Sequence, residues 1–595
     1  MESLVSGVAL LAASALVAGA PGAHAQGRIA AEALSRPDLT DLGSAPADTR
    51  VTVAITLNYR DKARLDDLVL QQGTPGSPLY HQFLTPADFA QQFGPTQTQH
   101  DAVVAALRGA GFTILQTYPN RTVIDATAPV GAVGAYFRTQ FHLFNQAGHG
   151  LRYGNAVAAT LPAALGDIVS TVAGLDNVVK ARPHHKAVGV FYSGMQLADA
   201  GAQAAVTPVS APIERTVAGQ FAGLYPAALA DAYKFPSLAG KTGAGRSIAI
   251  VIDSNITNGN LATFWKAAGV TRRGSFNRIL VNGVNPGVND DVGETAIDTE
   301  TTSSLAPGAN IDLYLISSLN DAPIEDAYNL VVSNNVDDVA SSSFGGCELD
   351  DTPFAIATDA IAEQGAALGI TFTASTGDAC GDCEDETAMG KNFYSPDIVS
   401  SPSSGPHFVA VGGTTLLVNA ATGARVSETA WAPGGSAGGG GGGVSSFWAL
   451  PSYQAGLTRI AVVPTITVKS PDLQPNGGFA GRNLPDISLD AANTVGSYIA
   501  VYDTLDGGWT GYGGTSVANP VFATLVALQN QKTGSRSGFL NPALYAAFTN
   551  NGASPSGVYG ADFYDVTSGN IGAGWSAKAG YDQATGIGSI LGGAF

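Results

Sequence analysis

Apolar and polar positions change rhythm twice along this chain. Between residues 50 and 180 short alternating and helical patterns follow one another closely. Val51 to Leu57 alternate as a half-buried strand does. Asp61 to Gln71 read as a helix, and Thr85-Pro86-Ala87-Asp88 opens a second, with a capping threonine and proline at the first helical position. Asp101 to Gly109 read as a third helix, Phe112 to Gln116 and Thr122 to Ala126 as paired strands, and Val130 to Phe137 as another helix. This mixture predicts a self-contained α+β domain ending near Val179.

From His184 to about Ala222 the period is lost, and Ala, Gln, Pro, Val and Ser predominate. The stretch reads as a linker, the kind of segment proteases nick most easily. Its histidine pair, His184-His185, is expected to be solvated, with acid sensing as the alternative.

Beyond Tyr225 strand and helix signals take turns. Strands are predicted at Ser247 to Asp253, Arg278 to Val281, Ile311 to Leu315, Val336 to Ser343 and Ile370 to Ser375. Helices are predicted at Leu261 to Ala268, Glu294 to Thr301, Asp326 to Ser333 and Thr352 to Gln364. Such alternation predicts a doubly wound, mostly parallel α/β sheet with helices on both faces. Ligands bind such sheets at the carboxyl ends of the strands, and Asp253, Phe344 and Asp378 fall at or just past those ends. Near the C-terminus the aromatic run Tyr498 to Tyr502 precedes Gly513-Gly514-Thr515-Ser516-Val517-Ala518-Asn519-Pro520, and a helical run from Val521 to Leu528 follows.

At 595 residues with 45% hydrophobic positions the chain requires more than one domain. A formal net charge of -19 argues against nucleic acid and anionic membrane surfaces as partners. Charged residues make up only 13%, so the surface is rich in Ser, Thr, Asn and Gly, as in exported proteins. Leu4 to Ala18 form a short apolar run ahead of Pro21-Gly22-Ala23-His24-Ala25, which reads as a secretory signal cleaved after Ala25. It departs from that pattern in having Glu2 and no basic residue ahead of the run. The three cysteines, Cys347, Cys380 and Cys383, are too few for a zinc site. One disulfide from Cys347 to either of the others is expected.

The histidines limit the chemistry. Of eight, only His407 lies beyond the linker, and it begins the apolar run Phe408 to Val411 as a strand-edge residue. Ser516 stands at the mouth of a helix, where a nucleophile or a plain N-cap would stand. If it is a nucleophile, something other than imidazole takes its proton. Glu294 and Asp298 share one helix face at i, i+4, where like charges force one carboxyl to keep its proton. Taken singly they are equally an acidic helix start, and Gly377-Asp378 is equally an Asx turn.

Together these residues resemble the catalytic set of the sedolisins, serine-carboxyl peptidases with a subtilisin-like fold. The anchors are Glu294-x-x-x-Asp298, Gly377-Asp378, Pro485-Asp486-Ile487-Ser488 and Gly514-Thr515-Ser516-x-x-x-Pro520. Tyr80-His81-Gln82-Phe83-Leu84-Thr85 and Phe89-Ala90-Gln91-Gln92-Phe93 resemble the activation prodomain of the same family, an α+β ferredoxin-like unit. The resemblance implies that Ser516 attacks the peptide carbonyl and that Glu294 is general base, then general acid. It implies that Asp298 shares a proton with Glu294, and that protonated Asp378 joins the Ser516 N–H in the oxyanion hole. Kumamolisin-like members extend the network with a further Glu and a Trp; Asp253 and Phe344 stand in those places. A maximum between roughly pH 2 and 5 follows from carboxyl groups working as both base and acid.

The resemblance also implies a structural Ca²⁺ near the C-terminus, held by the side chains of Asp565 and Asp582 and the carbonyls of Val566, Lys578 and Gly580. Gly434 to Gly443, lacking the Gly-Lys-Ser/Thr of a phosphate loop, is expected as a turn beside the substrate cleft. The expected organisation is a signal peptide at 1–25, an activation prodomain at 26–183, a processing linker at 184–222 and a peptidase domain at 223–595. The expected product is a secreted, monomeric acid endopeptidase acting on polypeptides, with its own prodomain as intramolecular inhibitor and chaperone. A tripeptidyl-type exopeptidase and a catalytically silent binding protein are the alternatives.

Overall fold

The computed structural model describes residues 31–36, 38–178, 180–188, 214–217, 220–235, 240–380, 399–419, 422–432, 438–457, 459–461, 480–494, 496–550, 558–559, 562–572 and 574–592. The signal sequence, most of the linker, Cys383 and residues 434–437 of the glycine run lie outside them. Cys347 is disulfide-bonded.

Alternation in the first domain does what the pattern predicts. Val51, Val53, Ile55 and Leu57 of the Arg50–Leu57 strand face a core with Val103, Leu107, Phe112, Ile124, Val133 and Phe137. The strand sits inside an antiparallel sheet, between Val123–Pro129 and Val169–Ala173, with Thr113–Thr117 at the edge. Its other face meets the second domain: Thr56 Oγ1 donates to Glu325 Oε2 at 3.1 Å. Leu65, Val69, Phe89 and Phe93 of the first domain share one apolar cluster with Tyr328, Val331, Ile361 and Phe372 of the second. Lys180 reaches across to Asp321 at 3.2 Å and to Asp351, and Lys62 to Glu363 at 3.1 Å.

In the second domain the strands run Phe276–Leu280, Asn310–Leu315, Ser247–Ile252, Val339–Ser342, Thr371–Ser375 and Phe408–Val418, all parallel. Arg425–Ala430 adds antiparallel to the last, and Ile487–Asp490 pairs with it in parallel. The Thr515–Thr533 helix is buried from Thr515 to Asn530 and packs across this sheet and along the Val292–Leu305 helix. The latter is buried at every position although its sequence is rich in Thr and Ser. Several of its hydroxyls donate to backbone carbonyls: Thr295 Oγ1 to Ser254 O, Thr299 Oγ1 to Thr295 O and Thr302 Oγ1 to Asp298 O. Two buried helices laid side by side bring their N-terminal turns, with Glu294 and Ser516, to the same end of the sheet.

Candidate active site

Ser516 occupies the first turn of its helix. Gly514 caps it at φ +126, and a Cβ there would lie 2.3 Å from His184 O, 2.6 Å from Asp378 Oδ2 and 2.6 Å from His185 Cα. Only glycine lets another strand pass this close. That strand is the beginning of the stretch read as linker. Pro183 and Arg182 pair antiparallel with Phe344 and Gly345, and Ala187 and Lys186 pair antiparallel with Tyr512 and Gly513. Residues 182–188 therefore cross the site in extended form, held by β-pairing on both sides. The expectation of a solvated histidine pair does not hold at His184, which is fully buried, and His185 is turned inward. Main-chain pairing draws the segment in regardless of its poor hydrophobic period.

The peptide unit between His184 and His185 lies against Ser516. The Ser516 N–H donates to His184 O at 2.9 Å, and the His184 N–H donates to Ser343 O at 3.1 Å. Ser516 Oγ donates to the same Ser343 O at 2.9 Å. Ser343 Oγ donates to Asp298 Oδ1 at 2.7 Å, and Asn519 Nδ2 donates to Ser341 Oγ at 3.0 Å. His185 Nδ1 lies 2.7 Å from Glu294 Oε2. On the other side, Asp378 Oδ1 accepts from Thr515 N–H at 2.7 Å and Thr515 Oγ1 at 3.0 Å. Glu294, Asp298, Asp378 and Ser516 are all fully buried.

Burial, and secondarily the Glu294 charge, hold the Asp298 carboxyl well above its usual range. Asp253 is pushed up to about 7 by burial and by its neighbour Asp291, which precedes the Glu294 helix. Phe344 is buried in the shared apolar cluster and offers its neighbours a backbone, not an N–H on a ring. His407 sits ahead of its strand with Asp359: N–H to Oδ1 at 2.9 Å and Nδ1 to Oδ2 at 3.0 Å. The described part of the glycine run borders the cleft, with Gly441 N–H donating to Gly377 O at 2.7 Å.

Near the C-terminus Asp565 and Asp582 are both buried. Asp565 Oδ2 accepts from Gly580 N–H at 3.0 Å, and Asp582 Oδ2 accepts from Lys578 N–H at 2.6 Å. Two carboxylates thus converge on one tight loop, a donor set that suits a hard oxygen-seeking cation. Among the described residues no group of three or more His, Cys, Asp or Glu is placed to hold a metal ion.

Sequence reasoning did not single out Ser343 or Asp291, gave Thr515 no role of its own within its motif, and read His185 as a linker residue. Thr515 adjoins a residue that was found; the other three meet the site only through the fold.

This architecture, an α+β prodomain docked on a subtilisin-like sheet with a helix-mouth serine, defines a prodomain-bearing serine peptidase. Residues 37–178 match the family model described as "Pro-kumamolisin, activation domain", and residues 287–574 match "Subtilase family". Sedolisin of Pseudomonas sp. (strain 101) is 32% identical over 94% of this chain and 88% of its own length. Xanthomonalisin of Xanthomonas sp. (strain T-22) is 30% identical over 91% of this chain, which spans 65% of that protein. The solved structure of Pseudomonas sedolisin, a serine-carboxyl proteinase complexed with two molecules of pseudo-iodotyrostatin, superposes with a TM-score of 0.52 at 30% identity. That superposition covers 62% of this chain and 95% of the sedolisin chain. More distant relatives carry the name tripeptidyl-peptidase. The chain belongs to the sedolisin family of serine peptidases.

Proposed function

We propose that this protein is a secreted, acid-acting serine-carboxyl endopeptidase, made as a zymogen that cuts itself free. Ser516 Oγ attacks the carbonyl carbon of the scissile peptide, and Glu294 takes the hydroxyl proton. The tetrahedral oxyanion is held by the Ser516 N–H and by the protonated carboxyl of Asp378. Glu294 then passes its proton to the leaving amine, and water releases the acyl group from Ser516 by the same route. Asp298 shares a proton with Glu294 and fixes its orientation, while Ser343 Oγ fixes Asp298.

The observation that carries this reading is the peptide unit His184–His185 in the cleft, its carbonyl oxygen 2.9 Å from the Ser516 nitrogen. Two contacts keep this bound segment uncut. The hydroxyl of Ser516 is turned to Ser343 O, and Glu294 Oε2 is engaged by His185. Glu294 can serve as base only once His185 has left it, so release of this contact is the activating step. An extended segment entering and leaving the site by β-pairing on both sides favours endopeptidase action over removal of tripeptides. Residues 1–25 serve export, 26–183 form the prodomain, 184–222 are processed and 223–595 form the peptidase. A structural Ca²⁺ is held by Asp565, Asp582, Val566 O, Lys578 O and Gly580 O.

The test is the pH–rate profile on an unfolded protein substrate, with the cut positions mapped. A maximum between roughly pH 2 and 5 and internal cuts are expected from the carboxyl values. A rate still climbing at about pH 8 would remove Glu294 and Asp378 from these roles. Products released three residues at a time would make it an exopeptidase.

A further inference from the structure

The ring of His184 fills a built pocket. Its Nδ1 lies 2.7 Å from Oγ of Ser375, the last residue of the Thr371–Ser375 strand. A Cβ added to Gly345 would stand 2.7 Å from the ring Cε1 and 3.2 Å from Nε2, and one added to Gly377 would stand 3.9 Å from Nε2. The two glycines are therefore the walls. A Cβ on Gly377 would also come within 3.0 Å of Ser400 Oγ. Ser400 is 1% exposed, and its hydroxyl has no hydrogen-bond partner among the described residues. Flat glycine walls with buried hydroxyls behind them make a slot that is narrow and polar.

This inference rests on the reading that Ser516 attacks the His184 carbonyl; the slot then takes the side chain preceding the cut bond. We propose that Ser375 makes the enzyme select histidine at that position over aliphatic and hydrocarbon-ring residues. Imidazolium offers N–H donors at both ring nitrogens, and Ser375 Oγ accepts from Nδ1–H. Leucine or phenylalanine would seal a buried serine hydroxyl away from water with nothing to bond. A site built to hydrogen-bond its substrate rejects analogues lacking the group for that reason. The second hydroxyl, on Ser400, adds to the polarity on the Nε2 side and to the cost of an apolar occupant.

The test uses the full chain, acidified, and three quenched peptides that differ only in having His, Phe or Leu before one cleavable bond. The readout is the ratio of kcat/KM values within one preparation, in which the active fraction cancels. Wild type is expected to favour His over Leu and over Phe by about tenfold, and Ser375→Ala to bring both ratios to within about twofold of unity. A merely structural role for Ser375 would lower all three rates and leave the ratios where they were, which would overturn the proposal. So would wild type cutting Leu or Phe as fast as His, a result that leaves peptide hydrolysis standing and decides the matter even if the variant does not fold. Failure of wild type to cut any peptide would overturn the peptidase reading and this one with it.

Discussion

One carbonyl oxygen, that of Ser343, accepts from both the Ser516 hydroxyl and the His184 amide, while the Ser343 side chain donates to Asp298. The hydroxyl proposed to attack and the acid proposed to steady the base are thus tied to one residue. Replacing Glu294 with Gln removes the proposed proton acceptor but keeps the shape; kcat is expected to fall by at least about 10⁴-fold, as when other catalytic units lose a member, with near-native thermal unfolding. Retained turnover would take Glu294 out of the mechanism. Asp378→Asn tests the oxyanion role differently. Its amide stays a donor at every pH, so the alkaline limb of the pH–rate profile is expected to move upward relative to wild type. An unmoved limb would assign that limb elsewhere. Spacing and motif singled out Ser516, Glu294, Asp298 and Asp378, and the fold brings them to one cleft. His185 on Glu294 was not legible: the contact spans 109 residues, and no local pattern announces it.

At the scale of elements, the strongest periods read true and the quieter starts did not. The third helix of the prodomain begins at Gln97, not Asp101, because Thr96 caps it. Thr96 Oγ1 accepts from Gln99 N–H at 3.1 Å and Gln99 Oε1 accepts from Thr96 N–H at 2.9 Å. The run Gln97-Thr98-Gln99 is polar, so the hydrophobic pattern starts later than the backbone does. Thr96→Ala is expected to destabilise the prodomain by about 1 kcal/mol in denaturant unfolding. No change would mean that the cap contributes nothing in the docked chain. The segment 182–188 was misread for the opposite reason. Arg182–Pro183 and Lys186–Ala187 are each held to a different strand by main-chain bonds, which need no apolar alternation. In the C-terminal loop, chelation is expected to lower the unfolding temperature by several degrees, and Asp565→Ala to remove that sensitivity, as linkage to a bound ion requires. Equal unfolding with and without chelator would leave Asp565 and Asp582 as turn-forming residues only.

The whole molecule carries many buried acids. Burial holds Asp298, Glu300, Glu325 and Asp490 well above the usual carboxyl range, pushes Glu348 and Glu363 up to about 7, and Asp503 up to about 6. Asp125 of the prodomain is also raised, by burial and by the adjoining Asp326. For each, the native state binds protons that the unfolded chain has already lost near pH 4. Their contribution is full below that point and drains away as pH rises through the native values. Asp351, beside Lys180, and Asp38, beside Arg36, run the other way and lose stability only in stronger acid. The raised groups are the larger set, so unfolding temperature is expected to be higher at pH 5 than at pH 7.5. The reverse order in a pH series would mean that these carboxyls are ionised in the native state. Which acids are buried is decided by packing of distant segments.

The most direct measurement is the mass of the fragments formed when the purified full-length chain is acidified, compared with Ser516→Ala handled in parallel. A first cut between His184 and His185 in the wild type, with the variant left whole, is the expected result. A wild-type chain that stays intact, or a variant cut at the same bond, would contradict hydrolysis of that peptide by Ser516.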